Sequence, residues 1–473
     1  MLARRFAVVL AVLASAPTLA VPAMGAHAQP HVRLLAASTT VKVFTFGKGP
    51  VYLDLGTYIG VDGAPLRVDV QRPDYTSPVG AELVLGNGDR VAVPPGLLNG
   101  WRGLAHMVEI KVFRSGTQIH DRTFTFCPNS YDVQRIDADG PFDPTYPQDC
   151  EGNPFTLGTV WGIDRGWAAN ALGYGATMNL AKGWYRMQVS ITPAYRSLLD
   201  IADADASVSL RVHVLKGGGC TDLCPVGAGH ALAALGRRPT SAPTDTTPDP
   251  ATLPDLVPLP AWGIQLDRFK QRDVLTFGAT VWDAGPSSLI VEGYRQPNSD
   301  TMQAYEYFTR NGKVVGRAPV GTFEFDRRPG HEHWHFEQFA RYRLLDAQQQ
   351  NVVRSQKEGF CLAATDAIDL LRSDALWRPD SLGFSQCAGP TNLWIRETLP
   401  TGWGDTYQQS LPGQAFDMTK IPNGTYYIEI TANPTGLLYE SDTSNDTQLR
   451  MVVLHGKPGH RWISVPPWEG IDA

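Results

Sequence analysis

Beyond its first 28 residues, the 473-residue chain has no apolar run near the roughly 18–20 residues that a membrane helix needs. This excludes a helical membrane span after that point. A cationic surplus is missing too: 41 Lys and Arg face 47 Asp and Glu, which argues against a nucleic-acid partner. Cysteine is scarce, with six residues, and so is histidine, with eleven. Scarcity gives weight to the places where these residues collect.

Arg4 and Arg5 precede an apolar run over residues 6–19, and Ala26-His27-Ala28 offers small residues for cleavage. This is the pattern of an export signal. Residues 1–28 are therefore expected to be a signal peptide, and the protein to be secreted or held in the cell envelope. Removing them takes away two arginines and no acid, moving the formal charge from −6 to about −8. Export favours disulfides for the even set Cys127, Cys150, Cys220, Cys224, Cys361 and Cys387. Sequential pairing is expected, since each pair lies within one local segment. A zinc site from Cys220, Cys224 and His230 would lack a fourth ligand.

Composition changes abruptly over residues 238–260, where seven prolines are interspersed with Thr, Ser, Ala and Asp. Such a stretch is stiff and extended, so the flanking parts are expected to be separate domains held apart. Before it, residues 41–46, 66–70 and 208–214 alternate apolar with polar; after it, residues 275–281, 339–344 and 424–430 read as strand. The fold class expected is all-β: two β-sandwich-like domains joined by a proline-rich linker, with an immunoglobulin-like form as one option for the first. The expected bounds are 31–216 for the first domain, 217–253 for the linker, 254–462 for the second domain and 463–473 for a tail. In the first domain His106, His120 and His213 stand alone, and nothing there composes a catalytic constellation.

Three histidines fall within five positions, at His331, His333 and His335, alternating with Glu332 and Trp334. On a strand the three imidazoles share one face; on a helix, at about 100° per residue, they would scatter. Three alternating imidazoles form a metal face, imidazole being a common ligand for copper, zinc, nickel and iron. The outer two start about 13 Å apart on a straight strand, so a bend or bulge is required for one ion to meet all three. Arg328-Pro329-Gly330, just before His331, supply a turn.

The region that follows resembles the catalytic domain of the lysyl oxidases. The His-x-His-x-His run leads to Phe339 and Tyr342-Arg343-Leu344-Leu345-Asp346, like the family's copper-binding segment. Lys357-Glu358-Gly359-Phe360-Cys361-Leu362 is similar to the stretch with the cofactor lysine, and Gly404-Asp405-Thr406-Tyr407 to that with the cofactor tyrosine. Glu440-Ser441-Asp442-Thr443-Ser444-Asn445 resembles a motif near the domain's end. The resemblance covers roughly residues 254–455, and the first half stays outside it.

The resemblance implies an exported copper-dependent amine oxidase. His331, His333 and His335 would be the copper ligands, and Lys357 with Tyr407 would form lysine tyrosylquinone. Primary amines, foremost peptidyl lysine, would be converted to aldehyde with molecular oxygen, releasing ammonia and hydrogen peroxide. Asp405 and Glu332 are candidate general bases, and Tyr426, Tyr427 and Tyr439 are weaker alternatives to Tyr407. Residues 368–392 have no match in the animal enzymes, Arg341 stands near a further histidine of theirs, and Cys361 with Cys387 is the expected pair at a family position. His455 and His460 receive no ligand role. A non-catalytic exported metal-binding or wall-associated adhesion protein, and a His₃ hydrolase or dioxygenase without a quinone, are the competing readings. Only the amine oxidase needs both Lys357 and Tyr407 at the metal face.

Overall fold

Alternating residues become strand because period-two burial suits a pleated ribbon with one face turned inward. The runs 41–46, 66–70 and 208–214 correspond to Thr40–Thr45, Leu66–Gln71 and Ser207–Lys216. Those at 275–281, 339–344 and 424–430 correspond to Arg272–Asp283, Ala340–Leu345 and Gly424–Ala432. The computed structural model describes residues 29–45, 49–173, 175–217, 243–296, 298–328, 332–354, 359–383, 387–410 and 415–472. The protein is all-β, and the longest helix among the described residues is the six-residue Pro193–Leu198. No helix among them is long and apolar enough to cross a membrane.

The first half is built around a seven-stranded sheet. Its order is Thr177–Met178, Val51–Tyr52, Thr40–Thr45, Ser207–Lys216, Gly183–Ile191, Leu104–Arg114 and Thr117–Phe126. Two four-stranded sheets pack with it over one apolar core that includes Met107, Trp161, Met187 and Tyr195. Cys127 and Cys150 form a disulfide, as their spacing predicts, while Cys220 and Cys224 lie outside the described residues.

Three sheets make the second half. One has the order Trp334–Phe336, Lys313–Phe325, Thr301–Arg310, Leu289–Arg295 and Trp394–Leu399, with the histidine strand at its edge. A second carries Arg272–Asp283 paired to Trp403–Gln408, the tyrosine strand; a third includes Ala340–Leu345 and Gly424–Ala432. Trp334, Phe336, Phe339, Tyr342 and Phe360 are fully buried between them.

The two halves are not held apart. Leu157 N–H donates to the Ile368 carbonyl at 2.8 Å, and Leu370 N–H donates to the Gly158 carbonyl at 2.9 Å. Phe155, Leu259, Ile368 and Ile471 form an apolar cluster of their own across this join, and Tyr146 stacks on Trp377 at 5.8 Å. The end of the proline-rich segment is laid along the second half, Asp245 N–H donating to the Arg317 carbonyl and Arg317 N–H to that of Pro243. Proline stiffness sets the path of a segment, not the distance between its ends, and exposed apolar side chains on both halves are buried by contact.

Candidate active site

The histidine strand is short, and its brevity supplies the bend that three alternating imidazoles require. Only Trp334–Phe336 pairs as strand, with Phe323, Glu324 and Phe325 opposite Phe336, His335 and Trp334; His333 sits in the bend before it. The His333 and His335 rings meet with their Nε2 atoms 2.9 Å apart. The two nitrogens lie close enough together that one metal ion would be able to take both as ligands. His335 is buried, its Nδ1 3.8 Å from Asp326 Oδ2, and Asp326 N–H donates to the His333 carbonyl at 3.0 Å. Arg328, hydrogen-bonded to Asp326, is the first cause holding that carboxyl well below its usual range. Glu332 is exposed. His331 lies outside the described residues.

Trp334 anchors the strand from the opposite face. It is fully buried, its Nε1–H donates to the Gly389 carbonyl at 3.0 Å, and its ring meets Phe325 edge-on at 5.4 Å. Its N–H donates to the Cys387 carbonyl at 2.9 Å. The predicted disulfide between Cys361 and Cys387 fixes that carbonyl to the segment on the strand's free edge.

That segment begins, among the described residues, at Gly359; Lys357 lies outside them. Phe336 and Phe360 exchange both backbone hydrogen bonds, at 2.7 and 3.0 Å. A Cβ on Gly359 would come within 2.7 Å of the His335 Cβ, so only glycine permits this approach. On the far side, the Tyr407 hydroxyl donates to the Cys361 carbonyl at 2.5 Å, and its ring meets Phe360 edge-on at 5.1 Å. Residues 359–361 are thus clamped between the histidine strand and the tyrosine.

Tyr407 shares one face of its strand with Asp405, while Thr406 points the other way to Thr280 and Asn153. Burial, then the charges of Asp405, Glu397 and Tyr342, push the Tyr407 phenol well above its ordinary range, so it is neutral at physiological pH. Glu397 escaped sequence reasoning. Its carboxyl is fully buried, accepts the Leu362 N–H at 2.8 Å and is pushed well above the usual carboxylate range, by burial first and then by Asp405. It lies beside Cys361 and Cys387, but those sulfurs are joined to each other and offer no thiolate to a metal.

The other candidates are used elsewhere. The Tyr426 hydroxyl donates to the Pro422 carbonyl at 2.7 Å, Tyr427 faces Met451 across its sheet and the Tyr439 ring packs on Phe308. His455 stacks on Trp462 and reaches Ser464. The unmatched residues 368–392 begin as the contact with the first half and end behind Trp334.

Residues 308–461 match the family model described as lysyl oxidase. The C-terminal region belongs to the lysyl oxidase family. Protein-lysine 6-oxidase of Sus scrofa is 31% identical over 121 residues, covering 24% of this chain and 41% of the relative. That of Gallus gallus is 30% identical over 204 residues, covering 41% of this chain and 44% of the relative. Human lysyl oxidase homolog 1 is 28% identical over 210 residues, covering 41% and 32%. The chain spans less than half the length of each. The rings of His333, His335 and Tyr407 fall within the lysyl oxidase match.

Proposed function

We propose that the lysyl oxidase region is a copper- and quinone-dependent amine oxidase, exported from the cell and acting on primary amines, foremost lysine side chains of proteins. His331, His333 and His335 would hold copper, and Lys357 and Tyr407 would form lysine tyrosylquinone. The observation that carries this reading is the clamp on residues 359–361, which ties the chain just after Lys357 both to His335 and to the Tyr407 hydroxyl. The relatives named protein-lysine 6-oxidase support the substrate class, and the two disulfides suit an oxidising compartment outside the cell.

Copper bound there would supply, with oxygen, the oxidation that joins Tyr407 to Lys357, and the resulting quinone would supply the carbonyl that takes electrons from an amine. The protein's own residues place and protect. Phe360 and Tyr342 wall the tyrosine side from water, and the Cys361 carbonyl fixes the orientation of its hydroxyl. Burial and the neighbouring charge of Asp405 hold Glu397 neutral, and Asp405, on the tyrosine's own face, is the carboxyl placed to take a proton beside the ring.

Loading the full chain with copper in air should give a quinone that stains and forms a phenylhydrazine adduct. Y407F and K357R should bind copper as the wild type does yet yield no adduct. A fully copper-loaded wild type without quinone would sink the oxidase reading and favour a metal-binding protein without catalysis.

A further inference from the structure

The first half lies outside the family match, and its seven-stranded sheet turns an unusual face to solvent. Tyr185, Met187, Val189, Leu210, Val212 and Val214 point into the core, so Trp184, Arg186, Arg211 and His213 point out. Their neighbours put them in two rows. Lys42, His213 and Trp184 lie side by side across three strands; Arg211, Arg186 and Phe113 lie side by side in the next row. Lys42, Arg186 and Arg211 are exposed, and none has a carboxylate within ion-pair reach among the described residues.

Arg186 and Arg211 face each other directly, a pairing of like charges that destabilises a sheet. A chain with more acids than bases has gathered three exposed cations on this face. Aromatic rings hold them: Arg186 lies 3.8 Å over the Phe113 ring and Arg211 4.9 Å over that of Trp184, which stacks on His213 at 4.2 Å and is 47% exposed. Stacked guanidinium groups keep their planar forks free for bidentate anions. Neighbouring strands are about 4.8 Å apart, so Arg211 and Arg186 stand one strand spacing apart in one row, with Lys42 on the adjoining strand in the next row. Cations spread over three neighbouring strands beside an exposed indole fit a linear polymer that carries an anion on successive units and a ring between them.

We propose that this sheet face binds an acidic polysaccharide, the carboxylates of successive uronate units pairing with Arg186, Arg211 and Lys42 while Trp184 packs against the sugar rings. The polymer would hold the amine-oxidase region at a polyanionic matrix, but the assignment stands on this face alone.

The test is titration of the full chain with a purified oligouronate by calorimetry, with neutral dextran as control. Expected is salt-sensitive binding to the uronate and none to dextran. R186Q/R211Q should weaken binding on the order of tenfold or more, R186K/R211K should retain part of it, and turnover of a small amine should be unchanged in both. Unchanged binding by a folded R186Q/R211Q chain, equal binding to dextran, or binding to anionic-lipid vesicles or a phosphopeptide but not to the uronate would each overturn the proposal.

Discussion

At Glu397 a carboxyl group is buried completely beside a disulfide and within the field of Asp405. Its acidity falls for the reasons any buried carboxyl weakens, loss of water and a nearby like charge. The consequence for stability has a definite sign. In the unfolded chain Glu397 ionises near its ordinary value of 4.5, while in the folded protein it keeps its proton well above that. The folded state binds more protons between those limits, so this group's contribution is complete below 4.5 and is lost as pH rises toward the raised value, at about 1.4 kcal/mol per pH unit. E397Q retains an acceptor for the Leu362 N–H and has nothing to ionise. Thermal melts from pH 5 to pH 9 should fall less steeply with pH for E397Q than for wild type, and parallel curves would reject a neutral acid at this position.

Elements show how far the sequence carries. The strands were legible because one buried face imposes alternation, and a bend near His333 is what the reading of three imidazoles on one ion calls for. The tyrosine was legible only through its family context. Glu397 was not, because the strand Trp394–Leu399 carries no local sign that its carboxyl meets Leu362 and Cys361, which belong to another segment. Long-range pairing is likewise silent in a single sequence: nothing around Phe360 announces that it lies beside Phe336. The disulfide between Cys361 and Cys387 joins two such segments, one on the free edge of the histidine strand and one behind Trp334. C361S/C387S should therefore lose about 2–4 kcal/mol of stability, read from denaturant unfolding. The same variant should also form quinone more slowly at saturating copper. Full stability with full quinone yield would remove the disulfide from the site's support.

The whole molecule departs most from the picture of two tethered domains. Residues 368–377 extend the lysyl oxidase region toward the first half, where the Ile368 carbonyl accepts backbone hydrogen bonds and Trp377 stacks on Tyr146. Asn153 donates to Thr280 and Thr406, so the first half touches the outer face of the tyrosine strand, one residue from Tyr407. A join that combines backbone bonds with a buried apolar cluster couples two bodies more tightly than a linker does. Phe155 is the largest fully buried member of that cluster. F155A removes its ring at a cost of about 3–5 kcal/mol, much of it at the join rather than within either core. Calorimetry should show wild type unfolding in one transition and F155A in two, one for the first half and one for the lysyl oxidase region. Two transitions in the wild type would mean that the halves fold independently despite their contact. One transition in F155A, shifted but unsplit, would place the coupling in the backbone bonds of Leu157, Gly158 and Ile368.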